Sequence, residues 1–235
     1  MEVIWLSFPQ FENQEFKKAL IILGYQTYGN LEIFRNEEHL KCFHDKILDR
    51  ATPNWKEIYK GYDAMIQTPP TLYYQEYLKI NPDIKFVIED IDSLTWYKRY
   101  KRVIRYFKWL QPLRLFKHSR NYLNLMDKMF YLIVKGDSAP INAQVQYNNF
   151  IQEIKTNIPE EQLLFFSPHE GWEPLCQFLN KPIPNKKLPY RNTDVEINKT
   201  IGNVVLSIFK KNVIILVLYF GTLIGLITYL LFFYD

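Results

Sequence analysis

Near its carboxyl end the chain runs for 21 residues without a charged side chain. Val213 to Phe233 reads VIILVLYFGTLIGLITYLLFF. At 1.5 Å per helical residue this run spans about 30 Å, the thickness of a bilayer's hydrocarbon core. Lys210 and Lys211 stand before it, and only Tyr234 and Asp235 follow. The run predicts one transmembrane helix over 213–233. The positive-inside rule then places the preceding domain on the cytosolic or matrix side. A buried core helix is the competing reading, but so long an apolar helix fits poorly inside so small a domain. Gly221 and Gly225 form a GxxxG spacing, which lets two such helices approach closely. A single lipid-facing helix is the simpler reading.

Setting that helix aside leaves about 200 residues, the size of one domain. Apolar residues make up 48% of the chain, enough to bury a core. Only 8 glycines are present against 13 prolines, so a glycine-rich ligand loop is not expected. The two cysteines, Cys42 and Cys176, stand far apart, and nothing in the sequence resembles a CxxC or a Cys/His metal cluster. A zinc site is therefore not expected, and two buried reduced thiols are. The start, Met1-Glu2-Val3-Ile4-Trp5-Leu6, reads as the beginning of a strand and not as a signal or transit sequence.

The remaining pattern alternates. Val3 to Phe8 is a short apolar run with strand character. Phe16, Ala19, Leu20 and Leu23 recur at helical spacing over Gln14 to Leu23, and Gly24 ends the helix. Further strands are expected at Ala64 to Ile66, Ile84 to Ile88 and Gln162 to Phe166. A helix is expected over Thr71 to Ile80, and a long helical stretch before the last strand. Strands alternating with helices predict an α/β fold, a parallel sheet covered on both faces. Ligands of such sheets bind beyond the carboxyl ends of the strands. Ser7 to Gln14 is the first place to look for function.

Several motifs, in order and at the right spacing, carry a family likeness. Pro159-Glu160-Glu161-Gln162-Leu163-Leu164 leads into Glu170-Gly171-Trp172-Glu173-Pro174-Leu175-Cys176-Gln177-Phe178-Leu179, followed by Pro182, Pro184, Pro189 and Asn192. Upstream stand Ala19-Leu20, Leu23-Gly24, Gly61-Tyr62-Asp63-Ala64, Pro69-Pro70, Asn81-Pro82-Asp83-Ile84-Lys85 and Trp96-Tyr97. In these the chain resembles the eukaryotic sulfotransferase-like family of P-loop fold, whose members often end in a hydrophobic helix. The resemblance implies a sulfotransferase-like domain over residues 1–195, a juxtamembrane linker over 196–212 and the helix over 213–233.

The chemistry of that family does not follow. Its first loop reads roughly Gly-x-Pro-Arg-Thr-Gly-Thr-x-Ser and wraps the phosphosulfate of 3′-phosphoadenosine 5′-phosphosulfate with backbone N–H groups. Here the loop is Ser7-Phe8-Pro9-Gln10-Phe11-Glu12-Asn13-Gln14-Glu15. Pro9 is kept, Gln10 replaces the Arg, Glu12 a Gly, and Glu15 the hydroxyl residue. A carboxylate about 4 Å from a polyanion costs roughly 4 kcal/mol at an effective dielectric near 20. As acids in a first helical turn, the same glutamates complement the helix dipole. The resemblance also implies an Arg-Asp clamp for the 3′-phosphate, with a Ser three residues past a Trp. Ile91, Asp92 and Arg99 stand there. The family's candidate base is Gln67 here, which cannot take a proton.

His44, in Lys41-Cys42-Phe43-His44-Asp45, and His169 are the remaining candidates for acid–base work. Without a nucleophile or cofactor loop both read as packed or surface histidines. The net charge is only +4, but Lys98 to Arg120 holds nine Lys and Arg and no acid. Trp96, Tyr100, Val103, Ile104, Phe107 and Leu110 share one helical face of it. This basic amphipathic segment is either a docked helix with a solvated face or a contact for anionic headgroups or an acidic partner. Arg99, Arg102, Arg105, Lys108, Arg114 and Lys117 would make that contact. No nucleic-acid motif accompanies the charge.

The sequence thus predicts a non-catalytic, sulfotransferase-like α/β domain with no cofactor. It would be an accessory or scaffold subunit of a membrane complex, in contact with the bilayer and with other subunits. The mitochondrial inner membrane and an endomembrane are the candidate settings, and the missing presequence weighs against the first. The alternative is an active membrane-anchored sulfotransferase.

Overall fold

The computed structural model describes residues 1–10, 13–66 and 71–189, the backbone alone at 13 and 14, and six isolated helical positions between 206 and 225. The chain divides into two units, Met1–Asn192 and Thr193–Asp235. In the second unit the expected span Val213–Phe233 lies outside the described residues apart from those isolated positions. So do Lys210, Lys211 and nearly all of the linker. No described helix is long and apolar enough to cross a membrane.

The first unit is α/β. In chain order its elements are β1 (Val3–Leu6), α1 (Asn13–Ile22), β2 (Thr27–Tyr28), α2 (Asn30–Arg35), α3 (Glu37–Ile47), α4 (Trp55–Ile58), β3 (Ala64–Ile66), α5 (Tyr74–Ile80), β4 (Lys85–Glu89), α6 (Ser93–Trp109), α7 (Lys117–Ile133), α8 (Pro140–Asn157), β5 (Leu163–Phe166) and α9 (Glu173–Leu179). The strands are all parallel, in the order β2-β3-β1-β4-β5. All four residues of β1 are buried, as expected for a central strand covered on both faces. Its Val3, Ile4 and Trp5 pair with Ala64, Met65 and Ile66 on one side, and Val3 to Leu6 with Lys85 to Ile88 on the other.

The pleat sends alternate residues to opposite layers. Val3, Trp5, Ile66 and Val87 face α1 and α9, where they join Phe16, Leu20, Trp172, Leu175 and Leu179. Trp5 stacks on Phe16 at 4.0 Å and meets the edge of Phe166 at 5.8 Å. Phe86 faces the other layer, against Tyr74 of α5, which in turn meets Phe150 of α8. There α6 packs on α8, and α7 packs on α3.

Most boundaries fall within a few residues of the sequence reading, and two differences have a clear cause. The first strand stops at Leu6 and not at Phe8, because the N–H of Ser7 turns to the Thr71 hydroxyl, 2.8 Å away. The strand β2 was not expected; two residues are too short to show a period of two. Cys42 is half-buried and Cys176 buried. Both thiols are free, and burial pushes both up from their ordinary pKa.

Candidate functional site

In this strand order the chain leaves β1 for one side of the sheet and later returns to build β4 on the other. The crevice this creates lies at the carboxyl ends of β1, β3 and β4. The structure brings together there the loop after β1, the end of β4, the first turns of α6 and one face of α8.

The loop after β1 is fastened down. Thr71 accepts from the N–H of Ser7 and donates back to its carbonyl at 3.0 Å. Phe8 turns into an aromatic cluster, stacked on Phe150 at 4.5 Å and edge-on to Trp96 and Tyr147. Trp96 stacks in turn on Tyr147 at 4.9 Å and on Tyr100 at 5.1 Å. Pro9 is buried with them. Next comes Gln10, also buried, whose side-chain amide donates to the Glu89 carboxylate at 3.0 Å.

Glu89 is the last residue of β4, and its side chain is 2% exposed. The Arg99 guanidinium lies 2.6 Å from it and also donates to the side-chain oxygen Oε1 of Gln10 at 3.2 Å. Gln10, Glu89 and Arg99 therefore form a polar triad linking the loop after β1, β4 and α6. Arg99 sits on the apolar side of α6, three residues after Trp96 and four before Val103, both buried. This corrects the expectation that Arg99 reaches outward to lipid: its side chain is 7% exposed.

Asp92 is the N-cap of α6. Its carboxylate accepts from the Thr95 N–H at 2.9 Å and from the Thr95 hydroxyl, and these bonds hold its pKa below the usual Asp range. Ile91 is half-buried, and its carbonyl accepts from Tyr147 at 3.2 Å. Burial raises the Tyr147 phenol, and the nearby Glu89 carboxylate adds to the rise. Glu15 lies in the first turn of α1, nearly buried, and pairs with Lys18 at 2.7 Å. Phe11, Glu12 and Gln67 lie outside the described residues, as do the side chains of Asn13 and Gln14.

The other candidates are scattered. His44 is half-buried on α3, and His169 is exposed in a turn after β5. Among the basic residues, Arg105, Lys108 and Lys117 are exposed and Arg102 is half-buried. Arg114 is held by Asp127 of α7, Asn124 and Gln111, so an acid outside the basic run takes its charge. No cluster of metal-ligating side chains occurs among the described residues. Two cavities, of about 330 and 350 Å³, are lined by Trp55, Tyr59 and Tyr77 in one case and Lys17, Tyr25 and Glu32 in the other. Neither is lined by the triad or the loop after β1.

Sequence reading missed Glu89, Thr71 and Tyr147. Glu89 carried a signal: a lone acid ending the apolar strand Phe86-Val87-Ile88 must find a partner if buried.

Known proteins agree with this architecture. A family model described as the sulfotransferase domain matches residues 2–197. A curated relative, the Ava biosynthesis cluster protein M of Aspergillus versicolor, is 27% identical over 187 residues, covering 72% of each chain. The match takes in every strand, the loop after β1 and the triad, and by it the chain belongs to the sulfotransferase-domain family.

Proposed function

We propose that this chain is a non-catalytic member of its family: a sulfotransferase-like domain, anchored to a membrane by residues 213–233, that serves as an accessory or scaffold subunit. The observation that carries the loss of catalysis is the buried ion pair of Glu89 and Arg99. The family's cofactor ends in phosphates, and binding it needs unmatched positive charge or free N–H groups at the carboxyl ends of the strands. Arg99 reaches that place already neutralised by a carboxylate at 2.6 Å. A phosphate bound to Arg99 would leave Glu89 buried beside it, and uncompensated buried charge is strongly unfavourable. Ile91 offers no charge in place of the clamp arginine. Gln10 is committed to Glu89 and Arg99. The residues present do not fit the cofactor.

Support for the anchor is the length of the uncharged run and the Lys210-Lys211 pair before it. With catalysis set aside, the work left to such a domain is binding.

Calorimetry of the purified chain with 3′-phosphoadenosine 5′-phosphate tests the first part. The expected result is no binding up to millimolar ligand. Micromolar binding would overturn the non-catalytic reading and favour an active sulfotransferase.

A further inference from the structure

The turn that joins α6 to α7 carries two strongly exposed apolar side chains. At this tip Trp109 is 79% exposed and Leu115 86% exposed. Pro112 stops α6 from continuing, and a 3-10 turn, Gln111–Leu115, carries the chain into α7. Arg114 ties that turn to Asn124 and Asp127 of α7, so the tip is a fixed part of the fold. Buried Trp96, Tyr100, Val103 and Leu110 hold the opposite face of α6 against the domain.

The exposed face of α6 is ordered as well. Lys98, Lys101, Arg105 and Lys108 are all exposed and recur at three- and four-residue spacing. At 100° per residue they fall within a quarter-turn of one another, and Trp109 continues the same side. The stripe is about 15 Å long. Across the tip, Lys117 and Arg120 add two exposed cations. From Ser93 to Met126 the sequence contains no acid.

We propose that this tip is a membrane-contact wedge: Trp109 and Leu115 enter the interfacial layer of a bilayer whose anionic headgroups the α6 stripe engages. An indole carried at a protein surface favours the headgroup boundary, and clustered Lys and Arg are drawn to anionic lipid. The charge selects this occupant over a neutral apolar partner, because binding the latter at the tip would leave the adjoining cations unmatched. The proposal rests on the reading that the chain is membrane-anchored, and it adds the part of the domain that faces the lipid.

The protein contains its own probe. Of its 5 tryptophans, Trp5, Trp55, Trp96 and Trp172 are buried, and Trp109 alone is exposed. The full chain is mixed with phosphatidylcholine vesicles containing or lacking phosphatidylserine, with brominated acyl chains as quencher. Flotation in high salt reads the anchor, and quenching at low salt reads the wedge. The expected result is quenching that requires phosphatidylserine and disappears in Trp109→Phe. Lys101→Glu/Arg105→Glu/Lys108→Glu should weaken it on the order of tenfold or more while leaving circular dichroism unchanged. A chain that floats in high salt but keeps Trp109 unquenched would overturn the wedge and leave the anchor standing. Quenching without high-salt flotation would uphold the wedge and overturn the anchor. Trp109 shielded instead by a co-purifying acidic protein would also overturn the wedge.

Discussion

The two ends of the parallel sheet are held together in different ways. At the amino-terminal ends of the strands stand motifs that match the family, and each has a structural duty. Asp63 accepts the N–H groups of Glu2 and Val3 on its carbonyl and that of Gln26 on its carboxylate at 2.6 Å, joining the starts of three strands. Asn81 donates to the Met1 carbonyl and accepts from the Asp83 N–H, setting the turn into β4. Past the last strand, the Trp172 indole donates to the Lys186 carbonyl and fastens the following segment. At the carboxyl ends of the central strands the loop after β1 and the first turns of α6 are held by internal contacts. Gln10 and Arg99 both bind the Glu89 carboxylate, Phe8 fills an aromatic cluster, and Asp92 caps a helix. Fold and site are carried by separate residues, so substitutions at the two ends can be tested independently.

The largest test of this contrast is Arg99→Met. If the triad is structural, removing the cation leaves Glu89 buried and unmatched, and stability should fall by about 3–5 kcal/mol. The double variant Glu89→Leu/Arg99→Met should recover most of that loss in chemical denaturation. A single variant as stable as the parent would mean that the pair is not what fills this end of the sheet.

Asp63→Ala probes the other end and should cost about 1–2 kcal/mol, the loss of one charge-assisted hydrogen bond and the freeing of the Gln26 N–H. The cost should appear as a lower denaturation midpoint with an unchanged slope. Combined with Arg99→Met it should add, since the two act at opposite ends of the strands.

Much of this was open to inspection in the sequence, and the exceptions have physical reasons. Strands β1, β3, β4 and β5 announce themselves as apolar runs. Arg99 misleads because it lies within a run of nine cations, although its spacing from Trp96 and Val103 places it on the buried face. Glu89 and Gln10 meet across 79 positions of chain, a distance that no local pattern reveals. Trp109 and Leu115 look like ordinary apolar residues of an amphipathic segment, although the helical phase of Trp109 sets it beside the exposed cations.

Asp92→Ala gives a smaller effect, about 0.5–1 kcal/mol, because the cap is exposed and screened. The folded-state pKa of Asp92 is depressed by its bonds to Thr95. Its contribution is therefore complete above the unfolded value near 3.8 and is lost as pH falls through the lower folded value. Parent and variant should converge in stability in strong acid and diverge above about pH 4.

The smallest effect concerns His39, at the far edge of the sheet. Its Nδ1 lies 3.0 Å from the Tyr28 hydroxyl, and Tyr28 is buried in β2 against Tyr59 and Tyr62. Burial lowers the pKa of His39 from 6.5, and Glu38 opposes that shift only in part. The unfolded chain therefore takes up a proton on His39 before the folded chain does. By linkage, stability that is complete above about pH 6.5 declines as pH falls toward the folded value. His39→Gln can keep a hydrogen bond to Tyr28 and has no proton to gain. Its stability should follow that of the parent at pH 7.5 and lie slightly above it near pH 5.5. A parent profile that is flat over this interval, or one that rises toward acid, would show that the imidazole is free to ionise and that the Tyr28 contact does not restrain it.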